Sequence, residues 1–246
     1  MSSRRVLILT ATVTPHPQMG ALAVKVPEER FTQYCDAFSF LVASGATTLF
    51  DHILLCENSG FDLTRFADSF AGSACDVEYV SIPMDDSAGR YGRVYSEMHL
   101  IDRALQQAGD IVDEDDRVWK LTGRYQINNL ERVVTKTDQT ADLVVALRRF
   151  PAKWTDLYLF CFNLRAWKSL SARFDELETT SGGAAVMYDI IGDLSRSGLK
   201  VKDRLGIEPH LLGIRGHDQR NYDSPRQRLK RRTRQVLRAI VPGLRV

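Results

Sequence analysis

The sequence predicts an α/β protein whose sheet is mostly parallel and flanked by helices. Two observations carry this. Apolar runs the length of strands alternate with helical periodicities through the first half of the chain. The strand candidates are near-continuous apolar runs, as expected of strands covered on both faces.

Each element follows in order. RVLILTATV (5–13) predicts a first, central strand, ending in the Pro- and Gly-containing loop TPHPQMG. PEERFTQYCDAFSFLVASG (27–45) predicts a helix, with Phe31, Tyr34, Cys35, Phe38, Leu41 and Val42 at three- and four-residue steps and Gly45 as its stop. FDHILLCENSG (50–60) predicts a second strand, FDLTRFADSFAG (61–72) a short helix and CDVEYVSIP (75–83) a third strand. MDDSAGRYGRVYSE reads as a polar, Gly-containing loop. EMHLIDRALQQAG (97–109) predicts a helix with the stripe Met98, Ile101, Leu105 and Ala108. RVWKLTGRY then predicts a fourth strand. In the less regular second half, 141–150 and 154–167 read as strands, and SARFDELETT and GGAAVMYDIIGDLSRSG as helices. IEPHLLGIRGHDQRNY reads as strand and loop. The expected organisation is a single domain over 1–225 and a basic amphipathic helix over 226–246, with Leu229, Val236, Leu237, Ile240 and Leu244 on one side.

Composition narrows the class. The chain has 246 residues, 44% hydrophobic and 26% charged, ordinary for a soluble globular protein. Cys35, Cys56, Cys75 and Cys161 show no metal-ligand spacing and read as thiols in a reducing compartment. Neither a secretory signal nor a bilayer-spanning apolar run is expected, so the predicted location is cytoplasmic. The net charge of +2 hides an asymmetry. Beyond Asp223 there are only basic charges, from Arg226 to Arg245, so the rest of the chain is net acidic. Such a tail suits the anionic inner face of a membrane. Nucleic acid is the rival partner, but the tail lacks base-stacking aromatics, so none is expected. A solvated helix packed on the body is the third reading.

Ligands of parallel α/β sheets bind at the carboxyl ends of the strands. The unusual residues gather at those ends: Thr10, Thr12 and Thr14, then Glu57, Asn58 and Ser59, then Asp85 and Asp86, then Gly123, Arg124 and Tyr125. Lys120 runs inside the fourth strand towards the same edge. Gly123 admits close backbone approach, and Arg124 offers a planar fork suited to phosphate. A turn glycine beside a solvent-facing Arg fits the same local sequence. The acidic run DEDD (113–116) lies at the amino edge and reads as a solvated turn rather than a metal site. GIRGHDQRNY (213–222) suits a phosphate loop, or a metal site through His217. No GxGxxG or Walker pattern is present.

Taken in order, LILTATVTP, ERFTQYCDAFSFLV, FDHILLCENSGFDL, GRYGRVYSEMHLIDRAL and WKLTGRYQINN resemble a group of bacterial glycosyltransferases of surface-polysaccharide synthesis. The resemblance covers the first half well and the second half weakly. It implies a GT-A-like fold. In other GT-A nucleotide-sugar transferases, an Asp triplet at this strand end holds a divalent metal under the donor diphosphate. Here Thr122-Gly123-Arg124 stands in that place, so the resemblance implies a guanidinium where the metal's charge would be. Two segments depart from the group's pattern. AGRYGRVYSE changes the glycine spacing of its KGKGYGE loop while keeping Glu97, and Gly213-Ile214-Arg215-Gly216 changes its Gly-Ile-Ser-Gly.

The implied activity is sugar transfer from a nucleotide-sugar donor to a lipid-linked or polysaccharide acceptor. Thr10, Ala11 and Thr12 would border the nucleotide, and Glu57 and Asn58 would hold its base or ribose. Arg90, Arg93, Lys120 and Arg124 would carry charge to the diphosphate, beside Thr122, Gly123 and Tyr125. Glu97, Asp189 and Asp218 are candidates for the general base of an inverting transfer. No metal cofactor is required on this reading, although manganese or magnesium at His217 and Asp218 stays open. A non-catalytic nucleotide- or RNA-binding protein, or a degenerate partner in a polysaccharide-assembly complex, is the alternative.

Overall fold

A computed structural model of the chain describes residues 3–19, 24–109, 111–179 and 181–213. The expected C-terminal helix over 226–246, and His217 and Asp218, lie outside the described residues.

Four strands form the parallel part of the sheet: β1 (Arg5–Ala11), β2 (His52–Glu57), β3 (Asp76–Ser81) and β4 (Arg117–Thr122). β5 (Gln126–Ile127) lies apart. β6 (Leu143–Arg148), β7 (Trp154–Phe162) and β8 (Val201–Lys202) extend the main sheet, giving the order β3-β2-β1-β4-β7-β6-β8. The fold is thus the expected α/β sheet, mostly parallel and flanked by helices. One strand is reversed: β7 runs antiparallel to both β4 and β6. The reason is length. The link from Arg148 to Trp154 is long enough for a hairpin and far too short for a parallel crossover. β9 (Leu211–Leu212) pairs with β5 in a small second sheet.

The continuous apolar runs are explained by burial on both faces. Val6 and Ile8 enter one core with α2 (Asp86–Gln107), α4 (Leu164–Ser171) and α5 (Gly183–Leu194). Leu7 and Leu9, next along the same strand, enter the other core with α1 (Pro27–Ala43) and α3 (Leu130–Lys136). Side chains alternate across a strand, so both layers need apolar residues from β1. Among the described residues no helix is long and apolar enough to cross a membrane.

Three expectations change. The segment 84–97 is not a loop: α2 starts at Asp86, capped by the Asp85 side chain accepting from Ser87 N at 3.0 Å. It breaks at Gly92, which has φ 82° and ψ −168°, a backbone only glycine takes easily. The stretch 154–167 is not one strand. It stops at Phe162, and Asn163 caps α4 by accepting from Ala166 N at 2.9 Å. The turn 113–116 is not simply solvated: Asp116 is buried and pairs with Arg4 at 2.8 Å, tying the amino end of β1 to that of β4.

Candidate active site

The carboxyl ends of β1 and β4 open onto a cleft of 580 Å³. Thr10 and Thr122 face each other there in register, because the two strands are parallel neighbours. Glu97 reaches the same point from α2 and is 22% exposed at its side chain. One of its oxygens, Oε1, accepts three bonds: from Thr10 Oγ1 at 2.7 Å, Lys120 Nζ at 2.5 Å and Thr122 Oγ1 at 3.0 Å. Among the described residues nothing donates to Oε2, so that oxygen is left for whatever enters the cleft.

Lys120 is the buried half of this pair, with no exposed surface. Its ammonium donates to Glu97, to Thr122 Oγ1 at 2.7 Å and to the Leu157 carbonyl at 2.6 Å. An ammonium has three N–H groups, and all three are used. Burial pulls the Lys120 pKa down, and the Glu97 carboxylate opposes that pull. The diphosphate contact expected of Lys120 is therefore not open to it. It holds Glu97 from beneath instead.

The wall on the β1–β2 side is a hydrogen-bonded loop pair. Thr12 Oγ1 donates to Asn58 Oδ1 at 2.6 Å, and Asn58 Nδ2 donates to Ser96 Oγ at 2.9 Å. Thr12 and Asn58 line the cleft. Glu57 and Ala11 do not. Ala11 is buried and its carbonyl accepts from Asn58 N at 3.3 Å. Glu57 has no exposed surface. Its carboxylate accepts from Val13 N at 3.0 Å, Ser59 N at 2.8 Å and Phe61 N at 3.1 Å, and also from the Ser59 hydroxyl. Those bonds fold the two loops together and leave Glu57 behind the wall rather than against a ribose.

Two guanidiniums face this wall. Gly123 brings the chain close: a Cβ there would stand 3.0 Å from Phe38 Cε1 and 3.0 Å from the Thr10 carbonyl. Arg124 follows, donating from Nη1 to Gln33 Oε1 at 3.0 Å, with its buried Nε unpartnered. Arg30, on α1, is 3% exposed. It donates to the carbonyls of Thr12 at 2.6 Å and Val24 at 3.3 Å, and to Tyr34 Oη at 3.4 Å. The two cations flank the Tyr34 ring, with centroid distances of 6.0 Å for Arg30 and 5.9 Å for Arg124. Burial lowers the Arg30 pKa, and the positive charge of Arg124 adds to that. Among the described residues neither guanidinium forms an ion pair with a carboxylate.

Of the other expected residues, Arg93 and Tyr125 line the cleft. Arg90 does not; it is exposed, 5.4 Å above the Tyr91 ring. Asp189 is also outside, on the exposed side of α5, paired with Lys153 Nζ at 2.6 Å. Arg30 and Tyr34 carry no expected role, although one signal was present. They stand four apart in α1, on the stripe that also holds Phe38 and Leu41, where an arginine has no apolar reason to be. Arg148, Trp154 and Asp156 line the far end and have no such signal.

The residues at this strand end do not fit the divalent metal that the Asp triplet of GT-A nucleotide-sugar transferases holds. Thr122, Gly123 and Arg124 supply no carboxylate, and among the described residues no three His, Cys, Asp or Glu side chains converge.

No protein-family model matches this sequence, and no curated protein does. Solved structures do. A protein described as a candidate nucleotide-diphospho-sugar transferase from Desulfovibrio desulfuricans G20 is 15% identical, with a TM-score of 0.47 over 97% of this chain and 98% of that one. The inositol-1-phosphate CTP transferase from T. maritima is 12% identical, with a TM-score of 0.49 over 98% of each chain. The 4-diphosphocytidyl-2C-methyl-D-erythritol synthase from Anaerococcus prevotii DSM 20548 is 10% identical, with a TM-score of 0.45 over 95% of this chain and 99% of that one.

Proposed function

We propose that this protein is a GT-A-like glycosyltransferase that moves a sugar from a nucleotide-sugar donor to a lipid-linked or polysaccharide acceptor in bacterial surface-glycan synthesis. One observation carries the reading. Arg30 and Arg124, two cations without a carboxylate partner among the described residues, share a carboxyl-edge cleft with Glu97. A desolvated guanidinium pair is an anion site, and a planar fork matches phosphate oxygens.

In this reading the nucleoside lies against Thr12 and Asn58, and its diphosphate against Arg30, Arg124 and Arg93. Glu97 Oε2 takes the proton of the acceptor hydroxyl. The hydroxyl oxygen forms its bond to the anomeric carbon while the bond from that carbon to the diphosphate breaks. The departing nucleoside diphosphate carries the electron pair, and the guanidiniums hold its charge. Lys120 aims the Glu97 carboxylate from beneath. The charge of the leaving group is met by side chains, so no divalent ion is required. The basic segment 226–246 would hold the enzyme on the anionic inner face of the cytoplasmic membrane, near a lipid-linked acceptor.

A thermal-shift panel of nucleotide sugars and nucleoside diphosphates tests this, run in EDTA and then in manganese. The expected result is stabilisation by one nucleotide family in EDTA, lost in Arg124→Ala. Stabilisation only with manganese would retain the transferase and reject the guanidinium account. No shift with any nucleotide, in either condition, would reject the donor site.

A further inference from the structure

At the end of the cleft away from the nucleoside wall, two aromatic side chains stand in the open. Phe150 is 62% exposed and Trp154 is 49% exposed, and both line the cleft. Phe150 lies in the hairpin link between β6 and β7, and Trp154 is the first residue of β7. Exposed aromatic side chains on the wall of a cleft offer a large, rigid contact area to an occupant. This rim is also held in place. Trp154 Nε1 donates to Asp156 Oδ1 at 3.2 Å, which fixes the plane of the indole. Asp156 is in turn ion-paired with Arg148, the residue opposite Trp154 in the hairpin register. Lys153 anchors the hairpin to α5 through Asp189 at 2.6 Å and lies 5.8 Å from the Tyr188 ring centroid.

We infer that this rim is an acceptor subsite for a saccharide ring, with Trp154 as the stacking platform and Phe150 as its flank. The inference rests on the donor reading of the opposite end of the cleft. Three features select a sugar over other occupants. An aromatic face packs against the apolar C–H face of a pyranose. The Asp156 carboxylate and the Arg148 guanidinium, both in the cleft wall, suit ring hydroxyls, whereas a lipid chain would need neither. A nucleobase would also stack, but the strand order puts the Thr12–Asn58 wall on the β1–β2 side and Trp154 on the β7–β6 side, with β4 between them. Glu97 lines the cleft between these two walls, so a sugar stacked on Trp154 would present a hydroxyl towards the expected base.

The molecule provides its own reporter. Of the three tryptophans, Trp119 and Trp167 are buried in the two cores, so acrylamide quenching reads Trp154. The probes are the methyl glycosides of glucose, galactose, mannose, rhamnose and N-acetylglucosamine, with octanol and free nucleosides as rival arms, each with and without UDP, GDP or CDP. The expected result is protection of Trp154 by at least one methyl glycoside, with affinity about tenfold weaker in Phe150→Ala. Calorimetric titration of Trp154→Ala should show the same loss, while its nucleotide-induced thermal shift stays at the wild-type value. Protection by octanol alone, by a nucleoside alone or by no member of the panel would overturn the subsite. If a nucleoside diphosphate stabilises the protein and every glycoside fails, the subsite falls and the donor site stands. If a glycoside protects and every nucleotide fails, the donor reading falls and the saccharide site stands.

Discussion

Lys120 Nζ and Glu97 Oε1 meet at 2.5 Å on the floor of the cleft, the lysine from β4 and the glutamate from α2. The pair is asymmetric. The ammonium is sealed and saturated, while the carboxylate is 22% exposed and, among the described residues, keeps one oxygen without a donor. Glu97→Gln retains an oxygen able to accept from Thr10, Lys120 and Thr122 but cannot take a proton at the cleft. The expected outcome is a kcat lower by roughly 10²–10⁴-fold with nucleotide affinity kept. Glu131→Gln, on α3 and outside the cleft, should leave kcat within twofold. Steady-state kinetics on both variants check this, and equal losses would remove Glu97 from its role.

Lys120→Met separates positioning from phosphate contact. Breaking a buried pair by removing one partner costs roughly 3–5 kcal/mol, and the partial exposure of Glu97 places this case near the lower end. The urea midpoint should fall accordingly. Donor affinity in the folded fraction should hold, because no Lys120 N–H is free for phosphate. A loss of donor binding without a loss of stability would contradict that assignment.

Arg124→Ala should weaken nucleoside diphosphate binding roughly 10- to 100-fold, the range of charge-assisted hydrogen bonds. Arg124→Lys should recover little of it, since a point charge does not reproduce a fork. Isothermal titration of the three proteins decides the matter, and full rescue by lysine would argue for charge alone.

Gly123→Ala should destabilise the protein through overpacking. The added Cβ would meet Phe38 Cε1 and the Thr10 carbonyl, both at 3.0 Å, and one of these is backbone. A cost of about 1–3 kcal/mol corresponds to a fall in Tm of about 3–10 °C at this chain length. An unchanged Tm in differential scanning calorimetry would show that β4 has room to shift.

Acid stability should depend on Asp138. Its carboxylate accepts from the Thr140 hydroxyl at 2.7 Å and Thr140 N at 2.9 Å, and Lys200 lies 3.5 Å away. These hold its pKa at about 2, below the ordinary 3.8. A depressed carboxylate contributes stability above its unfolded pKa and loses it as pH falls through the folded one. The Asp138→Asn variant should therefore show a flatter decline than wild type from pH 4 towards pH 2. Chemical denaturation across that range reads the difference, and parallel curves would exclude Asp138.

Much of the fold was legible in the sequence because burial on both faces leaves a local mark. The run Val6 to Leu9 announces a central parallel strand, and the steps from Phe31 to Val42 announce the helix that covers it. The reversal of β7 was less visible, since a five-residue link and a helical break can both follow an apolar run. At the site, Thr10 and Arg124 are legible as carboxyl-edge residues and the resemblance points to Glu97 and Thr122, yet their neighbours are not legible. Lys120 looked like a phosphate ligand because its charge is local information and its saturation is not: the acceptors come from α2 and from the Leu157 carbonyl of β7. Arg30 and Trp154 are far apart in sequence and line one cleft only once α1 covers the sheet and the β6–β7 hairpin joins it beyond β4. The layered α/β sheet and the edge at which the cleft opens can be read from the sequence, because periodicity and strand ends are properties of neighbouring residues. Which charges were spent inside the protein and which faced the cleft was decided only by tertiary structure, because hydrogen-bond saturation and desolvation depend on groups brought together from distant parts of the chain.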